Sequence, residues 1–208
     1  MSDLVLYSNP QSRGQIVHWM LEELAEPYEV EWIEYGPAMK TSPFIDINPM
    51  GKVPAITHNG NAVTEVPAIC TYLAARFPDK GLIPSQESEQ LGNFYRWMFF
   101  AAGPLEQAVT AHSMNWDTPE DKQQTLGFGS YQLTLDVLEI ALQKGPYICG
   151  EQFTAVDVYL GSHLTWGLMF ETIEKRQAFE DYSARLVQRP AAIRATKINA
   201  ARMKATPT

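Results

Sequence analysis

Three short stretches of this sequence carry residue types that can do chemistry. Glu65-Val66 stands just ahead of a helix-forming run, Pro67-Ala68-Ile69 to Tyr72-Leu73. The first N–H groups of a helix lack intrahelical acceptors and sit at the positive end of its dipole, so such a turn can receive a carboxylate. Valine is a poor cap and supplies no side-chain partner to those groups, while Glu65 is by its position a first-turn acid favoured by the dipole. The second stretch is Val53-Pro54. Proline cannot donate to a ladder, so it belongs at a strand start or edge, where neighbouring backbone groups stay free for a ligand. The third is Ser12-Arg13-Gly14-Gln15, a hydroxyl just before the first helix. That spacing is also a capping box in which Ser12 bonds the Gln15 backbone, and both roles stay open.

Composition removes several kinds of chemistry. Lys and Arg number 16 against 24 Asp and Glu, for a formal charge of -8. No basic cluster stands out for phosphates to find, so nucleic acid is not an expected partner. Cys70 and Cys149 are far apart and form no CxxC pair, which disfavours a disulfide framework, a zinc site and a dithiol redox pair. Histidines 18, 58, 112 and 163 show neither HExxH nor a paired ligand spacing, so no metal is expected. The start MSDLVLYSNP has no basic region before a long apolar run, and no segment approaches the roughly 18 apolar residues of a membrane span. The expectation is a cytoplasmic protein without a membrane partner.

The elements that must position these residues follow from periodicity and punctuation. Residues 3–8 and 28–35 read as strands, with Ile16, Trp19, Met20 and Leu24 at helical spacing between them. Ser42-Pro43 reads as a helix start and Asn48-Pro49-Met50-Gly51 as a turn. Strands 53–58 and 61–64 flank Asn59-Gly60, a tight hairpin signal. Pro67 opens a helix through Phe77. The order is β-α-β-α-β-β-α in residues 1–80, followed by a linker at 81–88 and an all-helical domain over 89–208. In that domain Gly103-Pro104 should kink the first long helix, and Thr118-Pro119-Glu120-Asp121 should start the helix carrying Tyr131, Leu135, Leu138 and Leu142. Phe153-Thr154-Ala155-Val156-Asp157-Val158 combines a capping box with a hydrophobic staple and is the sharpest local signal.

Asn48-Pro-Met-Gly-Lys-Val-Pro-Ala-Ile56, then Thr64-Glu-Val-Pro-Ala-Ile69 and Tyr72-Leu73, resembles the N-terminal domain of the cytosolic, bacterial-type glutathione S-transferases. Leu6-Tyr-Ser-Asn-Pro-Gln-Ser-Arg13 and Leu21-Glu-Glu-Leu-Ala-Glu-Pro-Tyr28 also fit, and the Phe153–Asp157 box looks like that family's C-terminal domain. The resemblance implies a thioredoxin-like α/β domain that holds glutathione, joined to an all-α domain that shapes an apolar pocket. It implies that Pro54 is cis and that Val53 pairs its backbone with the cysteinyl part of glutathione. It implies that Glu65 and Val66 hold the γ-glutamyl end and that Lys40 and Lys52 reach the glycine carboxylate. The family usually has Ser or Thr where this chain has Val66, so one hydroxyl contact is missing.

By the same resemblance Ser12 is the leading group to stabilise the glutathione thiolate, with Tyr7 and Asn9 as alternatives. No cysteine occupies that turn, which disfavours a mixed disulfide with the protein. Phe99, Phe100, Trp116 and Trp166 are the expected wall of the second pocket. The implied activity is transfer of glutathione, as co-substrate and without metal or nucleotide, to a small hydrophobic electrophile by a detoxifying homodimer. The alternatives are a non-catalytic glutathione-binding or protein-interaction module, and a glutathione-dependent disulfide or peroxide reductase.

Overall fold

The computed structural model describes residues 3–116 and 118–205. In the first strand, β1 (Leu4–Ser8), the buried Leu4, Leu6 and Ser8 alternate with the half-buried Val5 and Tyr7, the period of two of a strand with one face more deeply buried than the other. The chain leaves β1 through α1 (Gly14–Leu24) and returns as β2 (Glu29–Trp32), parallel to β1. A four-residue helix, α2 (Phe44–Ile47), precedes β3 (Ala55–His58), which pairs antiparallel with β1. A hairpin leads to β4 (Asn61–Thr64), with Asn59 at φ 51° and Gly60 at φ 78°, as a tight turn of this type demands. The sheet order is β2-β1-β3-β4, and α3 (Val66–Arg76) follows. This mixed four-stranded sheet with its helices is the expected thioredoxin-like domain.

The chain divides into two units, residues 1–80 together with 188–208, and residues 81–187. The second unit is all helical: α4 (Gln90–Phe100), α5 (Glu106–Ser113), α6 (Tyr131–Leu142), α7 (Ala155–Met169) and α8 (Gln177–Val187). The last helix, α9 (Pro190–Ala205), belongs to the first unit rather than to the helical domain expected over 89–208. Its docking there is visible in polar contacts: Arg189 makes a bidentate bond to Glu23 at 2.7 and 2.8 Å, and Arg194 donates to Glu22 at 2.7 Å. An amphipathic period states that one face is buried but not against what, so the sequence pattern left the partner of α9 open.

Two helix starts differ from the expectation. Ser42-Pro43 is a cis peptide, and α2 begins one residue later without a side-chain cap. At Thr118–Asp121 only a single 3₁₀ turn forms, Glu120–Lys122, and the long helix begins at Tyr131. Gly129 at φ 65° breaks the chain in between, and Ser130 takes over as cap, accepting from the Leu133 N–H at 3.1 Å. At Gly103-Pro104 the helix is widened to a π-helical turn over Ala101–Leu105, which joins α4 to α5 and accommodates the missing proline N–H. Among the described residues no helix is long and apolar enough to cross a membrane.

Candidate glutathione site

The sheet register gathers the three chemical stretches at one end of the first unit. Ala55 is the Cα partner of Tyr7 on one side and of Thr64 on the other. Consequently the turn after β1 (with Ser12), the residues before β3 (Val53-Pro54) and the residues after β4 (Glu65-Val66) all leave the sheet at the same end.

Residues 9–15 form a tight entry to α1. Asn9 is buried; its Nδ2 donates to the Ile33 carbonyl at 3.0 Å and its Oδ1 accepts from the Gln11 N–H at 2.9 Å. Asn9 therefore ties the loop to the end of β2. The half-buried Ser12 donates its hydroxyl proton to the Asn9 carbonyl at 2.7 Å and accepts from the Gly14 N–H at 2.9 Å. The expected capping box does not form: the Gln15 side chain donates to the Pro10 carbonyl at 2.7 Å, and the Gln15 N–H reaches the Ser12 carbonyl. Bonds of the i to i+3 kind tighten this entry, so the hydroxyl meets the N–H two residues on rather than three. The approach is close at Gly14, where a Cβ would lie 2.0 Å from Ser8 Oγ and would displace that side chain. Tyr7 projects to the other face, beside Met39, Phe44 and Ala55, with its ring 6.0 Å from that of Phe44.

Before β3, the Val53–Pro54 peptide is cis, and the Val53 backbone enters no hydrogen bond among the described residues. The preceding turn is held from two sides. Asn48, buried, donates to the Lys52 carbonyl at 2.7 Å and accepts from the Met50 N–H at 3.1 Å. Lys40 donates to the Met50 and Gly51 carbonyls at 3.0 and 2.9 Å. Lys52 is exposed and makes no ion pair among the described residues. Asn48 was not singled out from the sequence; the signal that finds it is an Asn opening an Asn-Pro-x-Gly turn, since such a side chain mimics backbone and holds the turn closed.

After β4, Glu65 adopts φ 65° and ψ 118°, outside even the left-handed helical basin near ψ of about +47°. Helix α3 starts at Val66 with no side-chain cap, and Pro67 removes one of the first donors by having none. The exposed carboxylate of Glu65 and the open N–H groups of this turn thus share one corner. Both cysteines are unsuited to nucleophilic work: burial pushes the Cys70 thiol up to about 12, and burial followed by the nearby Asp157 charge does the same to Cys149.

Of the four aromatic residues expected to line a second pocket, Trp116 lines a cavity in the helical unit. It encloses about 380 Å³ together with His112, Phe128 and Tyr131. His112 and Tyr131 stack there at 3.9 Å, and among the described residues no Asp, Glu, Lys or Arg contributes to the lining. Phe99 is exposed on α4, Phe100 packs edge-on against Trp97 at 5.1 Å, and Trp166 is half-buried on α7. A second cavity in this unit, about 390 Å³, has Arg96 and Lys144 in its lining.

Comparison with known proteins identifies the family. Residues 12–76 match the family model described as the glutathione S-transferase N-terminal domain. The glutathione S-transferase GstA of Escherichia coli O157:H7 is 30% identical over 149 residues, 71% of this chain and 73% of its own length. Glutathione S-transferase 3 of Schizosaccharomyces pombe is 28% identical over 74% of this chain and 70% of its own. The crystal structure of a glutathione transferase from Methylococcus capsulatus superposes with a TM-score of 0.78 at 27% identity, covering 95% of this chain and 99% of that one. Motifs, sheet register and relatives converge, and the chain belongs to the glutathione S-transferase family.

Proposed function

We propose that the first unit binds glutathione and activates its thiol, and that the protein transfers the sulfur to an electrophilic apolar compound. The observation that carries this reading is the convergence, at one end of the sheet, of the unpaired Val53 backbone, the uncapped start of α3 and the Ser12 hydroxyl. Val53 offers its N–H and C=O to the cysteinyl residue as an added strand would. The N–H groups opening α3 receive the γ-glutamyl carboxylate, and Glu65 takes the amine. Lys52, unpaired, is the cation for the glycine carboxylate.

Activation requires a thiol with a pKa near 8.5 to ionise at neutral pH, and a lowering of about two units needs about 2.7 kcal/mol. A hydroxyl donating to the thiolate supplies about 1.5–3 kcal/mol. Ser12 does so by rotating its proton from the Asn9 carbonyl to the sulfur, while the Gly14 N–H stays on Oγ and polarises it. The thiolate then forms a C–S bond as the electrophile's leaving group departs, and the thiol proton goes to solvent. Electrostatic stabilisation of the thiolate is the contribution this reading assigns to Ser12. The cavity around Trp116, His112, Phe128 and Tyr131, with no charged side chain among its described lining residues, suits an apolar compound better than the one lined by Arg96 and Lys144. Assembly as a homodimer belongs to the same reading, and sedimentation tests it.

Calorimetric titration with glutathione, for the natural protein and for Glu65→Ala, tests the binding half of the reading. Binding weakened by Glu65→Ala supports it, and no binding at millimolar glutathione overturns it. A second reading, glutathione binding without turnover, is favoured by the missing hydroxyl at Val66 and by the bond that already occupies the Ser12 proton. Thiolate ultraviolet absorbance of the complex separates the two: absorbance that Ser12→Ala abolishes supports transfer, and a complex holding only thiol supports the second reading.

A further inference from the structure

We propose that Lys40 is a positioning residue for the glutathione site, acting through the carbonyls of Met50 and Gly51 rather than by touching the ligand's glycine carboxylate. The inference rests on the glutathione reading and changes the role that resemblance assigns to this lysine. Two of the three ammonium donors are already committed, to Met50 at 3.0 Å and Gly51 at 2.9 Å. Both carbonyls lie in the turn that delivers Val53, and the same turn is braced from inside by Asn48 on the Met50 N–H and the Lys52 carbonyl.

The geometry leaves little slack around this brace. Gly51 is buried at φ 57°, and a Cβ there would lie 2.5 Å from the Met39 carbonyl and 2.8 Å from the Lys40 side chain. Met39 itself is buried in the cluster against which Val53 packs. Residues 39 and 40 therefore hold the turn twice, Met39 by apolar packing and Lys40 by its two hydrogen bonds. Fixing a long side chain on the surface forfeits rotamer entropy, which a purely solvated lysine would keep. What the brace fixes is the path from Gly51 to Val53, whose backbone N–H and C=O make no hydrogen bond among the described residues. A small misplacement of such a group is expensive for binding and reaction alike.

The discriminating experiment compares glutathione with γ-glutamylcysteine, which lacks the glycine residue, on the natural protein, Lys40→Met, Lys40→Arg and Lys52→Met. The expected result is that Lys40→Met weakens both ligands by the same factor, about tenfold, because the ligand must then order a turn that the natural protein holds in advance. Lys40→Arg restores most of the affinity, because a guanidinium also donates to two carbonyls. Lys52→Met weakens glutathione and leaves γ-glutamylcysteine unchanged. Amide hydrogen exchange in the ligand-free protein gives a readout independent of binding: Lys40→Met accelerates exchange at Met50 and Gly51 with little change in melting temperature. A loss confined to glutathione would show that Lys40 meets the glycine carboxylate, and no loss with either ligand would show that the brace is idle; both overturn the proposal, as does unchanged exchange. A natural protein that binds neither ligand overturns the glutathione reading itself, and the exchange result then still decides whether Lys40 braces the turn.

Discussion

Two helix starts in this chain are built on opposite plans. At α7, Thr154 caps the helix and Asp157 closes the box, accepting from the Thr154 N–H at 2.8 Å, the Ile148 N–H at 2.9 Å and the Tyr182 hydroxyl at 2.7 Å. Both residues are fully buried, and every donor around the carboxylate is satisfied from within. At α3, no side chain caps the helix, Glu65 is exposed in a strained conformation, and the side chain that follows is a valine. A start closed on itself contributes stability and has nothing left to offer a ligand. An open, strained start loses stability and can receive an anion, the usual relation between a scaffold and the site it carries. Substitutions at the two corners should therefore separate stability from binding.

The largest effect is expected at the closed corner. Asp157→Ala leaves the Tyr182 hydroxyl and the N–H groups of Ile148 and Thr154 buried without their acceptor. Stranding buried donors costs about 1–3 kcal/mol each with partial relaxation, so a total of about 4 kcal/mol is expected in urea unfolding. In the fraction that folds, glutathione affinity should be unchanged. A loss of affinity as large as the loss of stability would break the contrast.

Next comes a group between the two plans, buried but only half satisfied. His18 of α1 contacts Asn199 of α9 through Nδ1 at 3.2 Å, while its Nε2 has no hydrogen-bond partner among the described residues. Burial, opposed by the Asn199 bond and the Glu22 charge, pushes its pKa down to about 4 from 6.5. The unfolded chain then binds the proton more readily than the folded one between those values. The contribution is full above about pH 6.5 and is lost as pH falls towards 4, to the extent of about 3 kcal/mol. His18→Phe should flatten the stability profile in that window, and an unchanged profile would assign the acid sensitivity to another group.

How much of this was legible in the sequence depends on whether a signal was local. The capping box at Thr154–Asp157, the Asn59-Gly60 hairpin, the order of the first domain's elements and the proline at Val53-Pro54 all rest on residues within a few positions of one another, and the structure has them where the spacing put them. The start of α6 departs from the pattern because Thr118-Pro119-Glu120-Asp121 satisfies the box locally, whereas Gly129 and Ser130 decide where the helix begins. The docking of α9 and the brace from Lys40 to Met50 and Gly51 join residues distant in sequence, and no periodicity encodes such pairings. At the candidate site the residue types were readable, but the hydrogen bond that occupies the Ser12 proton and the backbone strain at Glu65 were not.

At the open corner, Val66→Ser sharpens the comparison by supplying a hydroxyl where the α3 start has none. One added hydrogen bond to a carboxylate is worth about 2 kcal/mol, so glutathione affinity should rise roughly 30-fold in calorimetric titration. Val66 is buried, at 6% exposure, so the same change should lower unfolding stability by removing apolar contacts. Gain in binding with loss in stability is the opposite of the outcome at Asp157. No gain in affinity would mean that the ligand's carboxylate does not lie at the start of α3.

The smallest effect is the most telling for the meaning of strain. Glycine adopts φ 65° and ψ 118° without the Cβ penalty that Glu65 bears, and relief of an unfavourable backbone conformation of this kind is worth about 1–3 kcal/mol. Glycine's greater freedom in the unfolded chain takes back roughly 0.5–1 kcal/mol, so Glu65→Gly should stabilise the protein by about 1 kcal/mol. The same substitution removes the carboxylate proposed to hold the γ-glutamyl amine, so affinity should fall. A variant that folds more stably and binds more weakly identifies the strain as maintained for the ligand. If Glu65→Gly is instead less stable than the natural protein, the conformation is supported by its own surroundings, and the open corner is no less a structural element than the closed one.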